Sequence, residues 1–200
     1  MNLMRVSVTT IDSFKWWQAD EDSTLADLLE RGPRTRAMMA GTALHHALEN
    51  ATEGERERLH ADGFTFEFIN PAEIALVSIR EIKAEKRYQI DDVTVEMVGK
   101  VDSISGIVED HKLTTNVDLE RFSDTYQWRF YLDMFDADVF RWHIFEAMQD
   151  YDNDTIRIKG VHHLTQHRYP EMADDLIAVL REYVAFIKEN APSFITQYAG

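Results

Sequence analysis

Between Val93 and Thr114 the sequence reads as two strands, VTVEMVGKVDS over 93–103 and IVEDHKLT over 107–114, joined by a short turn. Val, Ile and Thr dominate both runs, the composition of a pleated, half-buried surface. Both nevertheless carry charge: Asp102 on the first, and Glu109, Asp110 and Lys112 on the second. Residues two apart in a strand share a face, so Asp110 and Lys112 project together and His111 projects the other way. Burying a carboxylate and an ammonium is costly unless their partners are good. A hairpin of this kind therefore has either a solvated face or a use for charge inside it, and the apolar segments around it favour the second.

Turn length decides which charges meet. With a two-residue turn, Ser105 and Gly106, Asp102 would lie opposite Glu109, and Asp110 would face away from it. For Asp102 and Asp110 to converge, the connection must hold an odd number of residues, such as Ser105 to Ile107, or a bulge must intervene. Glu109 is the alternative partner. Converging carboxylates beside a lysine suit metal-assisted hydrolysis of a phosphodiester, because hard cations take oxygen ligands and the attacking water needs a positioned, ionisable neighbour.

Elsewhere the chain alternates between helical and strand patterns. Apolar residues recur at helical spacing over 22–31, DSTLADLLER, and 35–51, TRAMMAGTALHHALENA, with Ser23 or Thr24 and Thr35 as caps. Strand-like runs follow at 64–69 and 74–83, then the hairpin, then a helix from about Ser123 to Phe135 and strands at 138–147 and 155–165. The last helix, 171–189, places Met172, Leu176, Val179, Leu180, Tyr183 and Ile187 on its inner face. No repeat or linker interrupts this order, so residues 1–200 are expected to form one α/β domain.

The chain has no Cys, so disulfides, thiolate zinc sites and iron–sulfur clusters are excluded, and any metal must bind through oxygen or imidazole. The opening MNLMRVSVTTIDSFKWW has no apolar run of signal-peptide length, and no window reaches the ~20 apolar residues of a membrane span. A soluble cytoplasmic protein is expected. The net charge of −15 argues against general attraction to nucleic acid or anionic membrane, but a phosphate site needs only a local basic lining or bound cations.

The hairpin residues also carry a resemblance. GKVD followed by VEDHK looks like the G-x-x-D then (D/E)-x-K signature of the PD-(D/E)XK nucleases. GTALHHALE at Gly41 to Glu49 resembles the G-x-x-x-H-x-x-L-E helix of the RecB-like, phage-type exonuclease branch, and QWRFY at Gln127 to Tyr131 resembles its Q-x-x-x-Y motif. The three motifs stand in the family's order and, with the strand EKRYQI before the hairpin, cover roughly residues 35 to 135.

The resemblance implies a restriction-endonuclease-like α/β (α+β) core, a central mixed β-sheet flanked by helices, and a DNA exonuclease dependent on Mg²⁺ or Mn²⁺. By that resemblance Asp102 and Asp110 are metal ligands with the backbone carbonyl of His111, His45 completes the shell, and Lys112 orients or deprotonates the attacking water. Gln127 and Tyr131 line the wall of the site, and Glu85 is an auxiliary acidic position. Partners implied are DNA, in particular linear ends, and a strand-annealing protein, in recombination, repair or phage DNA processing within the cytoplasm, a host's if the chain is viral. From helical spacing alone, Gly41, His45 and Glu49 form one stripe, which leaves room beside the imidazole and lets Glu49 orient it. Read by themselves, His45 and His46 would be interfacial residues of an amphipathic helix, and His46 keeps that reading.

Weaker features remain. RIKGVHHLTQHR at 157–168 gathers Arg157, Lys159, His162, His163, His167 and Arg168, suited to tracking a phosphate backbone or to a solvated edge strand. Trp16 and Trp17 are suited to stacking on unpaired bases or to a core. EGERERLH at 53–60 reads as a solvated helix or loop. The alternatives to a nuclease are a catalytically inactive nucleic-acid- or partner-binding module on the same fold, and an acidic metal-binding scaffold.

Overall fold

The computed structural model describes residues 2–30, 32–52, 57–70, 80–104, 106–149 and 151–197. The chain runs β1 (Asn2–Ser7), α1 (Val8–Ala19), α2 (Leu25–Leu29), α3 (Arg36–Asn50), β2 (Arg58–Ala61), β3 (Phe64–Phe68), β4 (Arg80–Ile90), β5 (Val93–Ile104) and β6 (Val108–Thr114). It continues through α4 (Leu119–Asp124), α5 (Gln127–Met134), β7 (Val139–Ala147), β8 (Thr155–His167), α6 (Met172–Asn190) and β9 (Thr196–Gln197). β1 and α1 precede the two helices that sequence periodicity places first. The expected helix over 123–135 is two helices, α4 and α5, broken at Thr125 and Tyr126. Residues 58–60, expected in a helix or loop, belong to β2, whereas 53–56 and most of the strand expected at 74–83 lie outside the described residues. Among the described residues no helix is long and apolar enough to cross a membrane.

The strands form one mixed sheet in the order β2-β3-β8-β7-β6-β5-β1-β9, with β4 also on β5. Alternation along β7 shows why helices cover both faces. Phe140, Trp142 and Ile144 join the core beneath α1, α5 and α6, while Phe145 and Ala147 join a second core beneath α3. In α6 the six residues expected inward are all buried, together with Val184. Local chemistry sets the ends: the Thr24 hydroxyl accepts from Asp27 N and that of Thr35 from Met38 N, so each helix starts on a satisfied donor. β2 and β3 close on Asp62-Gly63, both at positive φ, the requirement of a two-residue hairpin turn. β8 is paired to β7 through Ile158 to His167 but to β3 only through Thr155 to Ile158, so among the described residues its basic second half has one sheet neighbour, as the edge-strand reading expects.

The pairing of β5 positions the site. One side of it is paired along almost its full length with β4. The other side is shared: β1 takes Val93 to Val98, and β6 takes only Ser103 and Ile104. Residues 99–102 thus lie in a fork between β1 and β6.

Candidate active site

β5 ends its pairing with β6 at Ile104↔Val108, so three residues, 105 to 107, make the connection. That is an odd number, and with Ser103 opposite Glu109 the next step brings Asp102 level with Asp110. The ladder stops there. Asp102 turns its carboxylate into the gap, and its Oδ2 accepts the backbone N–H of His111 at 2.6 Å, the group that would otherwise have sought a strand partner. Its Oδ1 meets His45 Nδ1 at 2.8 Å. α3 delivers that imidazole because Ala40, Ala43, Leu44, Ala47 and Leu48 form its buried face, small enough for the helix to lie close on the sheet.

Asp110 turns the other way, toward α5. Its Oδ2 accepts from Lys112 Nζ at 2.5 Å and its Oδ1 from Gln127 Nε2 at 3.5 Å. Gln127 Nε2 also reaches Tyr131 Oη at 3.1 Å, and that hydroxyl donates to the Lys100 carbonyl at 2.7 Å, inside the fork. Asp102 and Asp110 are 7% and 3% exposed, so this is buried charge with specific partners rather than a solvated strand face. Asp102 and Asp110 therefore do not present bare carboxylates to one centre. Among the described residues no three His, Asp or Glu side chains are gathered as a metal cluster.

Electrostatics separates the two carboxylates. Burial opposes ionisation of Asp102, but the hydrogen bond and charge of His45 overcome it and hold the carboxyl below the ordinary range. Burial likewise works against a charged His45, and Asp102 outweighs it and raises the imidazole. Each partner therefore favours the charged form of the other. Burial pushes Asp110 up to about 6; Lys112 works against that rise and Asp102 adds to it. His111 is lowered to about 4, chiefly by burial, and is neutral. Burial, then Asp110, raises Tyr131 well above its ordinary value, so it stays a phenol.

Two glycines exchange roles. A Cβ on Gly41 would meet nothing within 4 Å, so that residue is not what makes room for His45. A Cβ on Gly99 would lie 2.6 Å from Tyr131 Cε1. The close approach needed at the site is the Tyr131 ring on Gly99.

Other expected residues fall elsewhere. Glu109 accepts from Ser103 Oγ at 2.8 Å and sits 3.0 Å from His143 Nε2, away from Lys112. Glu85 pairs with Arg5 at an exposed position. Asp102 is the carboxylate that orients His45; Glu49 follows one turn later on α3. His46 pairs with Asp62 at 2.6 Å, half exposed, as an interfacial residue would. Lys159 and His162 both pair with Glu146, Arg157 faces Glu67 at 3.5 Å, and Arg168 donates to the Ala137 and Leu132 carbonyls, so most of that basic run is already engaged. Trp17 packs on Phe14 and Phe186, while Trp16 remains 48% exposed.

Sequence reasoning missed two features. The 4%-exposed Asp12 on α1 accepts the backbone N–H groups of Tyr126 at 2.5 Å and Gln127 at 3.3 Å, which starts α5 and sets Gln127 facing Asp110. Across the other face, His45, His111, His143 and His163 stand edge to face in a row, at 6.1, 5.3 and 4.8 Å between successive ring centres. Strand register brings His111, His143 and His163 together, and no local spacing announces it.

No protein-family model matches the chain, and no curated protein matches it. Among solved structures, SSO0001 is similar over 94% of this chain and 77% of its own, with a TM-score of 0.53 and 13% identity, a likeness of fold alone. A phage-related exonuclease from Haemophilus somnus 129PT is similar over 91% of this chain and 82% of its own, with a TM-score of 0.46 and 11% identity.

Proposed function

We propose that the chain is a divalent-metal-dependent nuclease that hydrolyses phosphodiester bonds of DNA, working as an exonuclease on linear ends. The observation that carries this is convergence: two sets of hydrogen bonds, His45 with Asp102 and the His111 N–H, and Lys112 with Asp110, Gln127 and Tyr131, drawn from four elements up to 86 residues apart in the chain, meet at neighbouring positions of the fork. Those are the residues on which the three motifs of the PD-(D/E)XK resemblance fall.

The donor chemistry fits a hard cation. Asp110 is a buried carboxylate whose ionisation burial and Asp102 both oppose, a penalty that a nearby cation relieves. A strand residue's N–H and C=O project to one edge, so the His111 carbonyl shares the fork with the N–H that Asp102 accepts. Mg²⁺ or Mn²⁺ would be held by Asp102, Asp110, the His111 carbonyl and His45, and when bound it lowers the pKa of water and neutralises charge on the phosphoryl oxygens. The chain does the rest. Lys112, fixed by Asp110, holds the water for in-line attack; Gln127 fixes Asp110; Tyr131, pinned to the Lys100 carbonyl, fixes Gln127. His45 must lose its proton to become a ligand, so metal uptake competes with protons.

The test is incubation of end-labelled linear and closed circular DNA with Mg²⁺ or Mn²⁺. Loss of the linear form alone supports an exonuclease, loss of both an endonuclease, and survival of both refutes the proposal.

A further inference from the structure

Beside the fork, on the α1 side of the sheet, a pocket of about 310 Å³ is walled by Thr9, Asp12, Trp16, Lys112, Arg121 and Trp142, among others. Lys112 and Gln127 belong both to this pocket and to the contacts around Asp110, so the pocket continues the candidate active site. Its volume is that of a small-ligand site.

Three features indicate what it takes. Arg121 lies over the exposed Trp16 ring, 4.8 Å from guanidinium carbon to ring centre, and among the described residues it forms no ion pair. In a chain with 36 acidic and 21 basic residues, a guanidinium held on an aromatic ring without an ion-pair partner is open to an anion from outside, even with Asp118, Glu120 and Asp124 on the adjoining surface. Lys112 likewise lies over Trp142, at 5.0 Å, so the pocket has a cation on an aromatic ring at two points. Trp142 Nε1 is buried and has no hydrogen-bond partner among the described residues, so the indole offers the pocket its ring, under Lys112, rather than its N–H. Asp12, the acid in the pocket, already serves the amides of Tyr126 and Gln127.

We infer that this pocket is a subsite for one unpaired nucleotide next to the scissile phosphate, with its base on the Trp16–Arg121 stack and its phosphate on Arg121. Aromatic faces and guanidinium planes accept any base, but only one freed from its pair. The substrate class is therefore a single-stranded or frayed DNA end. This rests on the proposed nuclease function and deepens it.

The test uses the full chain without added metal, titrated with a single-stranded tetrathymidylate, a blunt duplex and inorganic phosphate, while tryptophan fluorescence is read. The tetranucleotide should quench fluorescence. Trp16→Phe should abolish most of the quench and keep the affinity, whereas Trp16→Ala and Arg121→Gln should each weaken binding roughly tenfold or more. Both side chains are at the surface, so unchanged melting temperatures check the fold. Equal affinity in all variants, duplex binding as tight as single-strand binding, or phosphate competing as well as the tetranucleotide would overturn the subsite.

The same proteins are then assayed for cleavage with Mn²⁺. Cleavage indifferent to Trp16 and Arg121 overturns the subsite and leaves the nuclease standing. Binding that depends on Arg121 without any cleavage sustains the subsite and removes the nuclease. Neither binding nor cleavage overturns both.

Discussion

Replacing Gly99 with alanine should damage the site through a residue that never touches substrate. The new Cβ would lie 2.6 Å from Tyr131 Cε1 and 3.3 Å from Cδ1. Ordinary carbon contacts begin near 3.5 Å, so the ring must retreat by roughly 1 Å. It has little room, because Tyr131 is 2% exposed and packs on Phe135 and Phe140. Overpacking of this kind costs about 1–3 kcal/mol. Loss of the hydroxyl bonds to Lys100 and Gln127 adds about 1 kcal/mol. Because Gln127 is also bonded to Asp110, the displacement reaches Lys112, and a misplacement of about 1 Å is worth on the order of 10²-fold in rate. Urea denaturation and cleavage rates would be measured for Gly99→Ala, Tyr131→Leu and the double variant. In the leucine background the alanine should cost under about 0.5 kcal/mol, giving a coupling above about 1 kcal/mol. Additive effects within about 0.5 kcal/mol would show that the Gly99 contact does not set Tyr131, and the chain of positions to Lys112 would fall with it.

Further outcomes follow from the same contacts. Asp110→Ala and Lys112→Ala should each abolish cleavage while the melting temperature shows a folded protein, because these charges serve chemistry rather than packing; full activity in either would sink their assignment. Mn²⁺ should support activity at least as well as Mg²⁺, since imidazole suits the transition metal better, and His45→Ala should lower Mn²⁺ affinity in calorimetry and flatten its decline as pH falls. Identical Mn²⁺ affinity with and without His45 would remove that residue from the shell. Burial, against the Tyr126 and Gln127 amides, raises the Asp12 carboxyl from 3.8 to about 6, so its favourable contribution is complete below the unfolded value and is lost as pH climbs through 6. Relative to wild type, Asp12→Asn should therefore gain up to about 3 kcal/mol between pH 4 and 7, and a difference that does not change with pH would refute this.

What the sequence disclosed was what short-range pattern encodes. The hairpin could be read from alternating Val and Ile, and the odd connection from the need to bring Asp102 level with Asp110. The central strands and α6 followed from periodicity and the mixed sheet from the family resemblance, but α1 did not, because the face it buries includes Asp12 beside Val8, Ile11 and Phe14. The break before α5 has no local signal either, since the acceptor that begins this helix lies more than a hundred residues earlier. Glu109 could not be assigned from spacing because its partner His143 comes from a neighbouring strand. Nor could the bond between His45 and Asp102, which depends on how closely the alanine face of α3 approaches the sheet.

The two-pair ladder between β5 and β6 has a mechanical consequence. β5 is clamped to β4 by ten paired positions and to β1 by six, and β6 is clamped to β7 by seven. Asp102 and Asp110 therefore ride on separate jaws, each stiff in itself, joined at the backbone by a narrow web. Of the strand ladders, a change in the angle between the jaws strains only that web's, and it is resisted by the core that Val95 and Val101 share with Phe140 and Trp142; it alters the gap between the carboxylates directly. The same arrangement isolates the jaws from the connection at 105 to 107: each jaw takes its alignment from its outer neighbour, so chain inserted there lengthens the tether without moving either jaw.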